Sequence, residues 1–315
     1  MLPLTLGISA CLLGQNVRYD GNHTRDPYIC DTLGRWVSFL PVCPEVECGL
    51  PVPREPMRLE GDVADPRLMT ITTRKDITFL MKSWAEKRLD ELAREPLSGF
   101  IFKSRSPSSG MMRVKVYNEK GVPEPKGAGI FARAFMKRFP LVPVEDEGRL
   151  NDPVLRERFI EKVFVFMRFR EMMQERATPS GLVDFHTRHK LLLMSHSPEH
   201  YRKMGKLVAL AGKSDLAALF SEYAKSLNQA LSYAATPAKN VNVLMHIIGY
   251  FKNRLDSPDK AEFLEMLESY RKGHLPLIVP ITLCNHYVRK FDQAYLKEQA
   301  YLNPHPAELG LRNHV

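Results

Sequence analysis

The apolar periodicity of this 315-residue chain changes once, near Asn151, and that change divides it into two domains of different class. Before it, short β-rich runs alternate with helical stretches. Leu4–Ser9 is an apolar run that enters Ala10-Cys11-Leu12-Leu13-Gly14, and Trp36–Val42, rich in β-branched and aromatic residues, ends at Cys43. Between Thr73 and Ala93, Ile77, Leu80, Met81, Trp84, Leu89 and Leu92 recur at helical spacing, with Thr72 or Thr73 as the predicted cap. Gly99–Lys103 reads as a third strand ahead of the turn-rich Ser104–Gly110, Ala128–Phe139 as a helix and Leu141–Val144 as a closing strand. This order predicts an α/β domain with an open, mostly parallel, Rossmann-like sheet. In such sheets the ligand crevice lies beyond the carboxyl ends of the strands, where Cys11, Cys43 and Ser109 all fall.

After Asn151 the pattern is helical throughout. Leu155, Phe159, Val163, Phe164 and Met167 form one apolar stripe, and Val241, Leu244, Met245, Ile248, Phe251 and Leu255 another. Ser197-Pro198 and Ser257-Pro258 are start signals, a capping hydroxyl followed by a first-turn proline, with Gly212 and Gly273 as stops. A final helix is predicted from near Ile281 to about Gln299. The second domain is therefore expected to be all-α, with five or more helices. The boundary is expected in the charged stretch Glu145–Pro153, giving domains at 1–150 and 151–315.

Five cysteines, four of them in the first 48 residues, make no disulfide framework and raise the question of a metal. No apolar run approaches the ~20 residues needed to cross a bilayer. The N-terminus lacks a basic, apolar, small-residue signal pattern. The expectation is a cytoplasmic protein with no membrane partner and no obligate protein partner. The net charge is +9; from Asn151 onward 23 Lys+Arg face 17 Asp+Glu, so +6 of it lies in the second half. A basic balance of that size is compatible with nucleic acid without requiring it.

Three segments carry candidate chemistry: Ser9-Ala10-Cys11-Leu12-Leu13-Gly14, Pro41-Val42-Cys43-Pro44-Glu45, and Lys103-Ser104-Arg105-Ser106-Pro107-Ser108-Ser109-Gly110. Each is a strand end followed by a turn. On residue types alone, two cysteines and a carboxylate fit a zinc site, a redox pair, a nucleophile or plain packing. In the second half, His186, His189, His196 and His200 have metal-like spacing, but Pro198 interrupts any single helix through the last pair. The basic and aromatic run Arg188, His189, Lys190, Tyr201, Arg202, Lys203 and Lys206 suits phosphates and exposed bases, and equally a solvated helix face.

Taken in order, these motifs resemble the two-domain desulfidases that remove sulfur from thiolated pyrimidines, a DUF523 desulfidase domain fused to a DUF1722 helical domain. Ser9–Gly14 with Arg18-Tyr19-Asp20-Gly21, Pro41–Glu45 with Gly49-Leu50-Pro51 and Pro53-Arg54, and Lys103–Gly110 carry the likeness in the first domain. Glu145–Arg149, Phe185–Leu192 and His196-Ser197-Pro198 carry it in the second. The resemblance implies a [4Fe–4S] cluster on three cysteines with one iron open, at positions 11, 43 and 109. Position 109 is serine, a harder donor that stays protonated at neutral pH, which marks an engineered or degenerate site and predicts poor cluster retention. Cys48 is the alternative third ligand.

The resemblance further implies non-redox removal of sulfur, with Glu45 as the catalytic proton acceptor and Ser104 and Ser106 assisting. Arg18, Asp20 and Lys103 are left to substrate fixing or charge balance. The expected reaction is conversion of 4-thiouridine in tRNA to uridine, with the tRNA gripped through Arg188, His189, Lys190, Arg202, Lys203 and Lys206. The alternatives are desulfidation of free thiouracil-type bases or nucleosides, a non-catalytic RNA-binding protein, and a zinc-stabilised module.

Overall fold

The computed structural model describes residues 4–212 and 215–314. It separates into two compact units that divide between Phe159 and Ile160. The division falls inside a helix rather than in the charged stretch ahead of it.

The first unit is built on a parallel sheet of β1 (Thr5–Ser9), β2 (Ser38–Val42), β5 (Leu97–Phe102) and β8 (Val144–Asp146), in the order β2-β1-β5-β8. Every residue of β1 and β5 is buried, as a sheet covered on both faces requires. After the single-turn helix α1 (Pro44–Glu47), helices α2 (Thr78–Leu92) and α3 (Ile130–Arg138) pack Ala85, Leu89, Phe131 and Phe135 against Phe100 and Phe102. The Phe100 and Phe102 rings stack at 4.3 Å. Gly7 on β1 is obligatory, because a Cβ there would lie 2.2 Å from the Phe100 ring.

A second, mixed sheet, in the order β4-β3-β6-β7, comprises β3 (Met57–Glu60), β4 (Arg67–Thr70), β6 (Val114–Tyr117) and β7 (Pro123–Gly127). Sequence periodicity does not reveal it. Its strands are four or five residues long and charge-rich, and they bury Leu59, Leu68, Val114 and Val116 against Met81 and Ile130. Two boundaries also move. α2 begins at Thr78, not Thr73, because Arg74 takes a left-handed conformation (φ 56°) and the Asp76 carboxylate accepts from the Thr78 amide at 2.9 Å. The closing strand pairs from Val144, three residues later than the apolar run suggests.

The second unit is helical. Helix α4 (Pro153–Glu175) carries the chain across the division, and α5 (Pro179–His196), α6 (Pro198–Ala209), α7 (Leu216–Ser232), α8 (Pro237–Gly249), α9 (Ser257–Arg271), α10 (Ile278–Lys290) and α11 (Ala294–Lys297) follow. Thr178, Ser197, Thr236 and Asp256 each cap a helix with a proline in its first turn. The cap of α9 is Asp256, one residue before the serine that the sequence suggests. The expected last helix is broken at Phe291–Gln293, where Asp292 has φ 51°. Leu182, Phe185, Leu192, Tyr223, Val243, Leu244, Phe263 and Tyr301 belong to one continuous core. Among the described residues no helix is long and apolar enough to cross a membrane.

Candidate active site

All four strands of the parallel sheet deliver their carboxyl ends to one cavity of about 680 Å³. From β1 come Ser9 and Cys11; from β2, Cys43 and Glu45; from β5, residues 103–107 and Ser109; from β8, Asp146, Gly148 and Arg149. The three positions singled out in the sequence thus share a wall. Cys48 does not join them: it packs against Leu59 and Leu68, its thiol donating to the Glu45 carbonyl at 3.2 Å, so it is no substitute ligand.

Cys11 lies in a tight 3-10 turn straight after β1 and is 8% exposed. Cys43 follows β2 and is held by its own amide, which donates to Glu47 Oε1 at 2.8 Å. Burial raises both thiols above their usual range. For Cys43, burial and then the Glu45 charge push it up to about 12. Both are thus protonated at neutral pH in the free protein. The Cys43 thiol has two acceptors within reach of its one proton, Glu45 Oε2 at 3.5 Å and the Val17 carbonyl at 3.8 Å.

Glu45 is the hub of the site. Its Oε1 accepts from Ser108 Oγ at 2.5 Å, and Arg54 lies 3.9 Å from its Oε2. Arg54 is itself fixed by the Val17 carbonyl at 2.9 Å and has a 7% exposed side chain. Because the single Ser108 proton goes to Glu45, the 2.9 Å contact between Ser106 and Ser108 has Ser106 as donor. The order is therefore Ser106 to Ser108 to Glu45. Ser108 is fully buried behind the wall, so it positions the carboxylate and does not touch the cavity.

The loop 103–110 is locked from below. The amides of Phe131 and Ala132 donate to the Ser108 carbonyl at 3.0 and 3.2 Å, and that of Ile130 to the Pro107 carbonyl at 3.1 Å. Gly129 lies so close that a Cβ would stand 2.4 Å from the Ser108 carbonyl. The first amides of α3 are thus consumed by the loop. Ser104, expected to assist Glu45, is turned the other way: its hydroxyl and amide both donate to Glu147 at 2.7 Å, and Lys103 pairs with the same carboxylate. It organises the loop instead. Ser106 contributes one step removed, while accepting the Ser109 amide at 3.0 Å to close the turn. Sequence reasoning missed Ser108, Arg54 and Glu147, although all three lie in or beside the quoted motifs.

The donor set decides what the wall can hold. A three-thiolate [4Fe–4S] site needs three soft ligands, and the wall offers two thiols and the Ser109 hydroxyl. Among the described residues no group of three or more His, Cys, Asp or Glu side chains is arranged to hold a metal ion. The set is one thiolate short and does not fit the cluster as it stands.

In the helical unit the four motif histidines point inward. His186 Nδ1 meets Tyr223 Oη at 3.1 Å, His196 lies between Glu161 and the Tyr233 carbonyl, and His200 Nδ1 contacts Ser197 Oγ at 2.8 Å. His189, expected on the RNA face, is 3% exposed, stacks on Phe185 at 4.0 Å and donates from Nδ1 to the Phe185 carbonyl. Burial, and then the charge of Arg168, lower its pKa to about 3. It is a core residue. Of the other expected RNA contacts, Arg188 is paired with Asp184 and Glu298, Lys203 with Glu222, and Lys190 sits over the Tyr295 ring at 4.6 Å. Arg202 and Lys206 are exposed on α6.

Residues 6–147 match the family model described as 2-thiouracil desulfurase, and residues 190–306 match that of a protein of unknown function (DUF1722). The chain is 31% identical over 153 residues to the uncharacterized protein YbgA of Escherichia coli (strain K12), spanning 48% of this chain and 90% of that protein. It is 32% identical over 152 residues to the uncharacterized protein YbbK of Bacillus subtilis (strain 168), spanning 46% of this chain and 97% of that protein. A solved structure titled as the [4Fe-4S]-dependent thiouracil desulfidase TudS matches at 31% identity and a TM-score of 0.39, covering 47% of this chain and 93% of the other.

Proposed function

The chain belongs to the 2-thiouracil desulfurase family through its first half and carries a DUF1722 domain in its second; from that premise we propose that it descends from, and retains the pocket of, an enzyme that converts 4-thiouridine in tRNA to uridine. The observation that carries the reading is that Cys11, Cys43 and Ser109 line one cavity together with Glu45. The net reaction replaces C=S by C=O: water attacks the thiocarbonyl carbon, its proton passes to Glu45, and sulfur leaves as hydrogen sulfide with no change of oxidation state. Ser108 and Arg54 hold the carboxylate towards the wall.

With only two thiols at the wall, this chain is expected to retain a [4Fe–4S] cluster poorly and to be impaired as an enzyme. One substitution, Ser109→Cys, completes the donor set.

A nucleotide substrate is favoured by charge. Six cations line the cavity; Arg18, Arg54, Lys103 and Arg149 are paired with Asp20, Glu45, Glu147 and Glu145, while Arg105 and Arg113 have no ion pair among the described residues. Arg105 and Arg113 are exposed and sit in the left-handed region (φ 59° and 54°), a conformation that costs roughly 1–3 kcal/mol and recurs at ligand sites. Free thiouracil would need none of this charge. The second reading, a non-catalytic RNA-binding protein, is favoured by Ser109 itself.

The test of substrate is sulfide release by anaerobically reconstituted Ser109→Cys protein. It should act on thiolated tRNA in preference to free thiouracil, and turnover of free thiouracil alone would refute the tRNA assignment. Failure with both substrates despite a full cluster would favour the non-catalytic reading.

A further inference from the structure

The helical unit carries an aromatic array that the predicted basic run does not account for. Tyr250, the residue just after α8, is 45% exposed and stacks on Tyr295 of α11, with ring centroids 5.3 Å apart and planes 22° apart. The Lys190 ammonium lies 4.6 Å from the Tyr295 centroid, a cation–π contact that joins α5 to the same stack. Among the described residues Tyr295 is the only ring paired with Tyr250, and the 45% exposure of Tyr250 leaves part of it open to solvent.

The turn beside this stack is basic. The turn that follows Tyr250 carries Lys252 and Arg254, both exposed, and no acid before Asp256. Asp256 is occupied in capping α9, accepting from the Asp259 amide at 2.8 Å. On the α10–α11 side, Asp292 is paired with Lys297, and Glu298 with Arg188. Asp292 and Glu298 are therefore neutralised, whereas Lys252 and Arg254 have no ion pair among the described residues.

An open aromatic ring, backed by a second ring and flanked by unpaired cations, has the chemistry that grips unpaired bases: the ring stacks on a base and the cations meet its phosphates. We infer that Tyr250, supported by Tyr295 and Lys190 and flanked by Lys252 and Arg254, is a stacking site for an unpaired base of an RNA strand. This rests on the reading of the helical unit as an RNA grip, and moves the centre of that grip from α6 to the end of α8. Stacking rather than salt bridging selects single-stranded or loop segments over duplex, whose bases are already stacked.

The experiment uses the full chain, without cluster, and unmodified RNA, so it depends on no catalytic property. Binding of a fluorescent single-stranded RNA and of a duplex is measured for the wild type, Tyr250→Ala, Tyr250→Phe and Lys252→Ala/Arg254→Ala. A single-stranded RNA containing 2-aminopurine serves as the stacking probe, and thermal melts check each fold. Tyr250→Ala should weaken single-strand binding about 5- to 160-fold, the range for losing one base–aromatic stack, and barely change duplex binding. Tyr250→Phe should bind as wild type. Stacking should quench the 2-aminopurine in wild type and Tyr250→Phe but not in Tyr250→Ala. The double cation variant should reduce the salt slope by about two. If wild type binds RNA and folded Tyr250→Ala binds equally, the stacking site is wrong while the RNA reading stands. If Tyr250→Phe loses as much as Tyr250→Ala, the hydroxyl rather than the ring is responsible and the stacking site is again wrong. If wild type binds no RNA, both fall together.

Discussion

Ser108 Oγ donates to Glu45 Oε1 at 2.5 Å, joining the loop after β5 to the carboxylate two residues past Cys43. Hydrogen bonds to charged groups contribute about 1.5–3 kcal/mol. In the Ser109→Cys background, Ser108→Ala should therefore lower kcat by about 10- to 100-fold with little change in KM, because Ser108 does not line the cavity. Glu45→Gln should cost more, about 10²–10⁴-fold. Equal kcat for Ser108→Ala and its parent would remove Ser108 from the site.

Ser104 gives the opposite expectation. Its hydroxyl is committed to Glu147 at 2.7 Å. Ser104→Ala should reduce turnover much less than Ser108→Ala, and steady-state rates on one substrate compare them directly. A larger loss at Ser104 would reverse the assignment.

Gly129 tests the footing of the loop. A Cβ there would lie 2.4 Å from both the Ser108 carbonyl carbon and its oxygen, neither of which has room to move while α3 amides bind that carbonyl. Gly129→Ala should destabilise the first unit by about 1–3 kcal/mol and reduce activity beyond what stability explains. Trp36 and Trp84 both lie in the first unit, so tryptophan fluorescence during urea unfolding reads the effect there.

Glu161 sets an acid limit on the helical unit. It is buried, with His196 Nε2 at 2.5 Å and Arg312 at 3.3 Å. Burial alone would raise its pKa, but the charges of His196 and Arg312 outweigh it and lower the carboxyl to about 2. A carboxyl depressed on folding adds stability that is complete above the ordinary value of 4.5 and is lost as pH falls towards the depressed one. Far-UV circular dichroism should therefore show the helical unit weakening between about pH 4.5 and pH 2. Glu161→Gln should flatten that dependence and lower Tm at neutral pH by about 10 °C, as expected when one partner of a buried pair is removed. An unchanged acid limb in Glu161→Gln would contradict this.

Much of this was legible in the sequence, for identifiable reasons. β1 and β5 are apolar runs that a buried parallel sheet demands, β2 is a half-exposed edge strand beside them, and the ends of the three named Cys11, Cys43, Glu45 and Ser109. The second sheet was hidden because strands such as Met-Arg-Leu-Glu and Pro-Glu-Pro-Lys-Gly bury too few residues to set a period. Ser104 and Ser108 are indistinguishable by type and neighbourhood. Their hydroxyls are aimed by Glu147 and by the α3 amides, which come from distant parts of the chain. His189 was misjudged because a basic run conceals the phase of its helix, and the core that takes in Phe185 and Leu192 turns His189 inward as well.

We propose Cys11, Cys43 and position 109 as one ligand set, complete but for a thiol. The most direct measurement is iron and acid-labile sulfide bound per chain after anaerobic reconstitution of wild type, Ser109→Cys, and Ser109→Cys carrying Cys43→Ala. Wild type should retain little, Ser109→Cys should become brown with a full [4Fe–4S] complement, and the added Cys43→Ala should abolish it. Equal retention by wild type and Ser109→Cys, or a cluster that survives Cys43→Ala, would contradict the account.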